Sequence, residues 1–479
     1  MQVKKQSISK QMIVFSIALV IVMLVQLLVL KSDNLIFILC SCLCSLLFSV
    51  PLAFNNKSRF YHPYVFILLA TFIGVTLRSF YMVYRPDDPI INSFFLRNQS
   101  IAYFTAPTFM LFTGLLAFAL SYSFTKGKIG LQNIRLFKKN YGWNQQRVGI
   151  LTIIFSLISV TGIFLFIRVM GIGSILLDIS GKRFMKVGEG ADTTYASYGY
   201  YRIMASFVQP LLYIYLLNFI VQKKRILSKY GIILIGIALA NLFFPIFTSS
   251  RSDLLTIFLN VFIILSTVGK FDVKLIIAIA PIAMLLFAIT TLLRPAKSND
   301  IDTEKINLLE PFIYNKNLLD VSKTAHVING VPQKMPFQYG ASFLSLIYAP
   351  IPRDMWPEKP NLSISKDVSH KIYGYSENNG AGIPPGMAAE MYINFGYAGI
   401  LIAFFLVGIL LKKTYNSFEF DEKELIKNRA VLYVTLVVSI TITLFGSSLN
   451  QAILGILQNY IPLWIGLRFI TDYNKIDSE

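Results

Sequence analysis

The chain has 479 residues, of which 55% are hydrophobic and only 14% charged, and 44 basic against 25 acidic residues leave a net charge of +19. A soluble domain is about half apolar but about a quarter charged, so the missing charge excludes an ordinary soluble protein and points to one solvated by lipid. The basic residues are scattered over short segments rather than gathered on one domain, which argues against nucleic acid and makes the surplus a topology signal first and an attraction to anionic lipids or phosphates second.

A helix that crosses a bilayer needs about 20 mostly apolar residues. Twelve such runs are expected, near 12–30, 35–54, 63–84, 101–121, 149–170, 200–221, 230–248, 253–269, 273–293, 387–411, 430–447 and 451–469. The hairpins 230–269 and 430–469 have connections of only a few residues. The first run is followed directly by a second and lacks a small-residue cleavage site, so it reads as a span rather than a cleaved signal peptide. The expected fold class is all-α: a polytopic membrane protein with spans 1–9 over residues 1–293, one large loop over 294–386 between spans 9 and 10, and spans 10–12 with a tail over 387–479.

Positive charge orients the bundle. With the N-terminus inside, the inner segments carry Lys4, Lys5 and Lys10, then Lys57 and Arg59, then the 126–147 group, Lys223 to Lys229, Lys270 and Lys274, and Lys412 to Arg429. Short outer connections carry far fewer, so both termini are expected in the cytoplasm and the 294–386 loop outside. Cys40, Cys42 and Cys44 share one span. A spacing of two turns Cys42 away from the others, and neighbours so close in one helix do not form disulfides, so they read as small packing residues.

Near the outer ends of the spans the basic residue changes from lysine to arginine: Arg78, Arg85, Arg168, Arg202, Arg251 and Arg294. A guanidinium binds phosphate bidentately, whereas an ammonium acts as a point charge. The competing reading is snorkelling to headgroups or pairing with Asp87, Asp88, Asp178 or Asp253. The tip Thr248-Ser249-Ser250-Arg251-Ser252-Asp253 is the sharpest case, because its hydroxyls can cap the following helix and leave its first N–H groups facing an anion.

Within the large loop, residues 317–329 read as an amphipathic helix stopped by Gly330, and 343–348 as apolar enough to dip into the membrane edge. Prolines 350, 352, 357 and 360 force an extended path around Arg353 and Trp356. A second short helix is expected near 364–373, and a Gly/Pro-rich turn feeds the span that carries Glu390. An acid in an apolar span needs a partner: either it pairs with an arginine, or it handles a proton as a general base. His326 and His370 sit on helices expected at the loop surface, where a solvated face competes with a role as base for a sugar hydroxyl. His62 is expected at the cytoplasmic interface. The sequence has no His/Cys cluster and no phosphate-cradling Gly-Lys-Ser/Thr loop, which weakens ATP-driven transport and metal-dependent cytoplasmic transfer and leaves no metal ligands to name.

Pro352-Arg353-x-x-Trp356-Pro357-x-Lys359-Pro360, followed by Gly382-x-Pro384-Pro385-Gly386-x-x-x-Glu390-x-Tyr392-x-Asn394-Phe395-Gly396, resembles the bacterial oligosaccharide repeat-unit polymerases, the O-antigen polymerase (Wzy-type) family. The Ser250-Arg251-Ser252 tip and the large late loop are similar too, and the similarity runs from about residue 200 to 450. The resemblance implies an enzyme in the cytoplasmic membrane of a bacterium that joins repeat units carried on undecaprenyl pyrophosphate at its outer face. The activated sugar–pyrophosphate bond then removes the need for a metal or any other cofactor. Glu390, His326 and His370 become candidates for the base; Arg251, Arg353, Arg294, Arg78, Arg168, Lys359 and Trp356 become candidates for holding the lipid-linked oligosaccharide. Membrane lipids, a chain-length regulator and a flippase of the same pathway are the implied partners, and nucleic acid is not. A ligase that moves the finished glycan to another acceptor is an alternative. So is a transporter of the lipid-linked unit, but that predicts internal repeats and charges deep at the midplane, whereas no convincing repeat is present and the intramembrane charges cluster toward one side.

The lysine distribution carries a topological prediction. A reporter fused after Lys139 or Lys224 should read out in the cytoplasm and one inserted near Lys334 outside; a cytoplasmic signal from Lys334 would overturn the orientation.

Overall fold

The computed structural model describes residues 8–55, 59–89, 91–130, 134, 136, 141–170, 201, 203–247, 251–268, 285–286, 319–348, 351, 355–356, 358, 364–376, 382–418, 427–438, 441 and 445–476. It is a helical bundle. Among the described residues eight helices are long and apolar enough to cross a membrane. They include α1 (Ser9–Val29), α2 (Ser32–Phe54), α3 (Pro63–Tyr84, with a π turn at Phe72–Leu77), α4 (Ala102–Phe124) and α5 (Gln145–Met170). The expected sixth run holds α6 (Val208–Val221), and the expected 230–269 hairpin holds α7 (Lys229–Phe247) and α8 (Arg251–Thr267), both shorter over the residues described. The run 273–293 lies outside the described residues apart from two positions. After the loop come α11 (Met387–Ser417), α12 (Lys427–Tyr433, continuing as a π turn to Val438) and α13 (Leu449–Ile470). Where they are described, the bundle helices thus fall where apolar runs were expected.

The bundle holds together as lipid-solvated helices must, by close packing and a few interhelical hydrogen bonds rather than by a hydrophobic driving force. Ser41 and Ser45 of α2 reach Ser79 and Thr76 of α3, each at 2.7 Å, and the three cysteines are buried beside them. α4 packs closely against α11. A Cβ on Gly408 would lie 2.6 Å from the Phe118 carbonyl oxygen, so this position admits no side chain. At the opposite end from the loop, β1 (Tyr141–Trp143) pairs antiparallel with β2 (Thr471–Ile476), and the Trp143 indole N–H donates to Asn428 at 2.8 Å. This ribbon departs from the all-helical expectation. Its strands are too short to register as an alternating pattern, and they form only because the two chain segments meet.

The loop before α11 is ordered where it is described. It forms α9 (Val321–Gly330), α10 (Ala341–Tyr348) and a short turn of helix at Ser365–Asp367 that runs on as a π turn to Ile372. These pieces enclose a small core of their own, in which Val327, Val331, Met335, Ile364, Val368 and Ile372 pack on Ala389 and Ile393 from the first turns of α11. The expected amphipathic helix is therefore present, but it is not a surface helix: nearly every residue of α9 is buried.

One pair pins α9 to the bundle. Asp320 caps the helix, its Oδ1 accepting from the N–H groups of Ser322 and Lys323 at 2.9 and 3.1 Å. Its Oδ2 lies 2.8 Å from Arg78 Nη1, and both side chains are out of contact with solvent. The Arg78 guanidinium also covers the Phe95 ring, 4.6 Å from its centre. Burial pushes the Asp320 carboxyl up, but Arg78, Lys323 and the capping N–H outweigh it and hold the acid below its ordinary value. Arg78, expected at the substrate, is thus engaged with a partner absent from the four aspartates considered for it, because Asp320 is remote in sequence and no local pattern joins the two.

Removing one partner leaves a buried charge uncompensated and costs about 3–5 kcal/mol. Arg78→Ala or Asp320→Asn should therefore lower the thermal midpoint of the purified protein and expose the 319–386 segment to protease. Because the folded carboxyl sits below its unfolded value, the pair's contribution is full above the ordinary aspartate range and lost as pH falls below it.

Candidate active site

Glu390 lies in the first turn of α11 and is fully buried. Helical phase explains its surroundings. Ala389 and Ile393 share one face and enter the loop core, while Glu390 and Asn394, also four apart, share the next face. The helix breaks just beyond: Phe395 leaves helical geometry and Gly396 takes φ 63° and ψ −154°, a conformation open to glycine. The segment Met387–Asn394 is therefore a short helix set off by a kink from the long apolar stretch that follows.

Three chain segments converge on that polar face. The Glu390 Oε2 accepts the backbone N–H of Leu449, the first residue of α13, at 2.5 Å. Its Oε1 accepts the Ser342 hydroxyl of α10 at 3.3 Å. The Asn394 amide donates to the Ser342 hydroxyl at 2.9 Å and to the Glu390 carbonyl at 2.8 Å, and its oxygen accepts the Gly340 N–H at 2.9 Å. Asn450 donates to the Ser342 carbonyl and to the Ser345 hydroxyl, which leaves its own Oδ1 buried without a partner. Among the described residues no arginine or lysine forms an ion pair with Glu390. The carboxyl instead uses a helix N-terminus, where unpaired N–H groups and the helix dipole favour negative charge. Asn394 was legible as a polar residue one turn from Glu390; Ser342 and Asn450 were not, because only the fold brings them there.

The outward face of α10 is apolar. Leu344 and Ile347 are exposed, as are Ile351, Met355 and Trp356 beyond it, and the Trp356 ring rests edge-on against Tyr348 at 5.9 Å. A helix with serines turned to a buried acid and leucine and isoleucine turned outward is built for a boundary between protein and lipid. The expected apolar segment 343–348 takes this form.

The two histidines differ. His326 is buried, against the expectation of a solvated face, and its Nε2 donates to the Phe95 carbonyl at 2.8 Å. Burial brings its pKa down to about 4, so it stays neutral across the physiological range and is a weak proton acceptor there. His370 is half-buried, and its Nδ1 donates to the Tyr375 carbonyl at 2.9 Å, leaving Nε2 as the acceptor. His62 is buried rather than interfacial: its Nδ1 accepts the Tyr64 N–H and caps α3. Arg168 is exposed near the end of α5. Arg251 begins α8, but its side chain, together with Arg202, Arg294, Arg353 and Lys359, lies outside the described residues.

A family model for O-antigen polysaccharide polymerase Wzy matches residues 11–474. The chain belongs to that family. No curated protein and no solved structure matches it. As a Wzy polymerase it is a multi-pass bacterial membrane protein of polysaccharide biosynthesis, a glycosyltransferase-type enzyme acting on lipid-linked oligosaccharide repeat units. The match covers the early spans as well as the 200–450 region that carries the motifs.

The polar cluster carries its own prediction. Asn394→Leu removes three hydrogen bonds and strands the Gly340 N–H, and an unsatisfied buried donor costs about 1–3 kcal/mol. This Wzy variant should melt earlier than wild type, and hydrogen exchange should rise at residues 338–345; unchanged exchange there would mean that α10 is held by other contacts.

Proposed function

We propose that this Wzy protein joins undecaprenyl-pyrophosphate-linked repeat units at the outer face of the cytoplasmic membrane, with twelve spans, both termini inside and the 294–386 loop outside. The observation that carries the reading is Glu390, a buried carboxyl held at the start of α13 and covered by a serine of an amphipathic helix. In the reaction an acceptor hydroxyl attacks the anomeric carbon of the donor glycan. The sugar–phosphate bond breaks, its electron pair leaves with the carrier pyrophosphate, and the hydroxyl proton passes to a base.

Glu390 suits that base by geometry. Its Oε2 is fixed by a backbone N–H, whereas among the described residues Oε1 meets a longer hydroxyl bond from the half-buried Ser342. An acceptor sugar hydroxyl that takes the place of Ser342 would point its proton at the same oxygen. His370 is the second candidate, through its Nε2; His326 is the third, weakened by burial. The apolar face of α10 and Trp356 supply a boundary along which a polyprenyl chain and the first sugar ring can lie. Arg251 and Arg353 are the proposed ligands of the pyrophosphate, with Arg294, Arg168 and Lys359 as further cations. Their task is to stabilise charge that develops on the leaving group, which preorganised donors do well. The activated donor supplies the driving force, so the proposal invokes no metal or nucleotide.

General base catalysis contributes about 10²–10⁴-fold. Purified protein given synthetic lipid-linked units should therefore lose at least about 10²-fold in turnover on Glu390→Gln while keeping its fold and donor binding. Near-normal chain growth by a folded Gln variant would remove Glu390 from the chemistry and move the role to His370. Arg251→Ala or Arg353→Ala should abolish polymer while the protein still accumulates, and Arg→Lys should rescue poorly because the bidentate contact is lost. Full polymer from both lysine variants would show that neither guanidinium holds the pyrophosphate.

A further inference from the structure

A cavity of about 360 Å³ is lined by Arg97, Gln99, Tyr103, His326, Lys334 and Lys371 with Tyr373 beside them. We propose that it is a subsite for an acidic sugar of the glycan, a carbohydrate ring carrying a carboxylate. The proposal rests on the reading of the chain as a glycan polymerase and adds to it the charge of the unit it accepts.

Among the described residues the lining has three cationic side chains and no carboxylate. Among the described residues none of Arg97, Lys334 and Lys371 forms an ion pair. Clustered like charges repel one another, so three cations with no ion-pair partner among the described residues favour an anion in the hollow between them. Arg97 is held for the purpose. Its backbone takes φ 53°, Asn98 follows at φ 59°, and this left-handed pair turns the side chain onto Tyr373. There its Nη2 donates to the Tyr373 carbonyl at 2.9 Å and the guanidinium covers the ring, 4.9 Å from the centre. One nitrogen edge is therefore committed, and the remaining donors of a rigid planar fork are left for a carboxylate. Lys334 and Lys371 are exposed, as mobile charges at a rim are.

The other lining groups suit a sugar rather than a bare ion. Gln99 offers an amide and Tyr103 a phenol, which pair with ring hydroxyls, and the volume sits at the small end of the range of about 300–1,000 Å³ seen for ligand sites. Position separates this hollow from the proposed reacting centre. Ile372 of the lining belongs to the loop core, which packs on Ala389 and Ile393, while Glu390 faces Ser342 and Leu449 on the neighbouring face of the same helix. The exposed apolar strip of α10, where the carrier lipid is proposed to run, adjoins the Glu390 side. An anion bound at Arg97 is therefore more naturally part of the glycan than the carrier's pyrophosphate.

The test is binding without turnover, using purified protein in detergent and calorimetry with three probes: a glucuronic-acid-containing disaccharide, its methyl ester, and inorganic pyrophosphate. The acid should bind, and the ester at least tenfold more weakly. Affinity for the acid should fall with added salt and drop at least tenfold in Arg97→Ala and in Lys371→Ala; the latter alters an exposed side chain and so keeps the fold intact. Equal binding of acid and ester, or wild-type affinity in Lys371→Ala, would overturn the proposal. So would pyrophosphate that binds more tightly than the disaccharide, displaces it and is lost in the same variants, which would assign the hollow to the carrier. Chain growth by the wild-type protein is read separately, so failure of this subsite and failure of the polymerase reading give different results.

Discussion

A carboxyl buried in an apolar helix must find its hydrogen-bond partners inside the protein, and the way Glu390 does so organises this end of the molecule. It takes one donor from the start of α13 and one from α10. Because both lie far away in sequence, the acid joins the loop to two spans. The kink at Phe395–Gly396 follows from the same demand: it lets Met387–Asn394 tilt into the loop core while the rest of α11 runs against α4, where Gly408 allows close approach.

The loop is held on its other side by a different kind of bond. Asp320 caps α9 and meets Arg78, and the Phe95 carbonyl accepts from both Ser322 and His326. Asn329 donates to the Tyr103 carbonyl at the start of α4, and Lys323 donates to the Pro384 carbonyl just before α11. These bonds fix the described parts of the loop to the ends of α3, α4 and α11. A polymerase that must hold two lipid-linked glycans in line gains from such a platform, because the alignment of reacting groups is set before substrate arrives.

The positions of the helices were legible because a span has to be long and apolar whatever its neighbours are. Glu390 was legible for the same reason, as an acid where acids are costly, and Asn394 by its helical spacing. The burial of His326 was not legible, since an amphipathic ten-residue helix looks like a surface helix until a bundle covers its polar side. Arg78 looked like a substrate ligand because Asp320 is far away in the chain. Arg97, Lys334 and Lys371 gave no signal at all: each is an ordinary basic residue of a polar segment, and only folding gathers them round one cavity.

Glycan transfer is proposed to take place where α10, the first turns of α11 and the start of α13 meet. The most direct measurement is a structure with a non-transferable lipid-pyrophosphate-linked repeat unit and an acceptor unit bound. The account predicts the acceptor hydroxyl within hydrogen-bond distance of Glu390 Oε1, Ser342 displaced from it, and the polyprenyl chain along Leu344 and Ile347. An acceptor hydroxyl seated on His370 with Glu390 still closed over by Ser342, or a carrier chain running along α5, would contradict it.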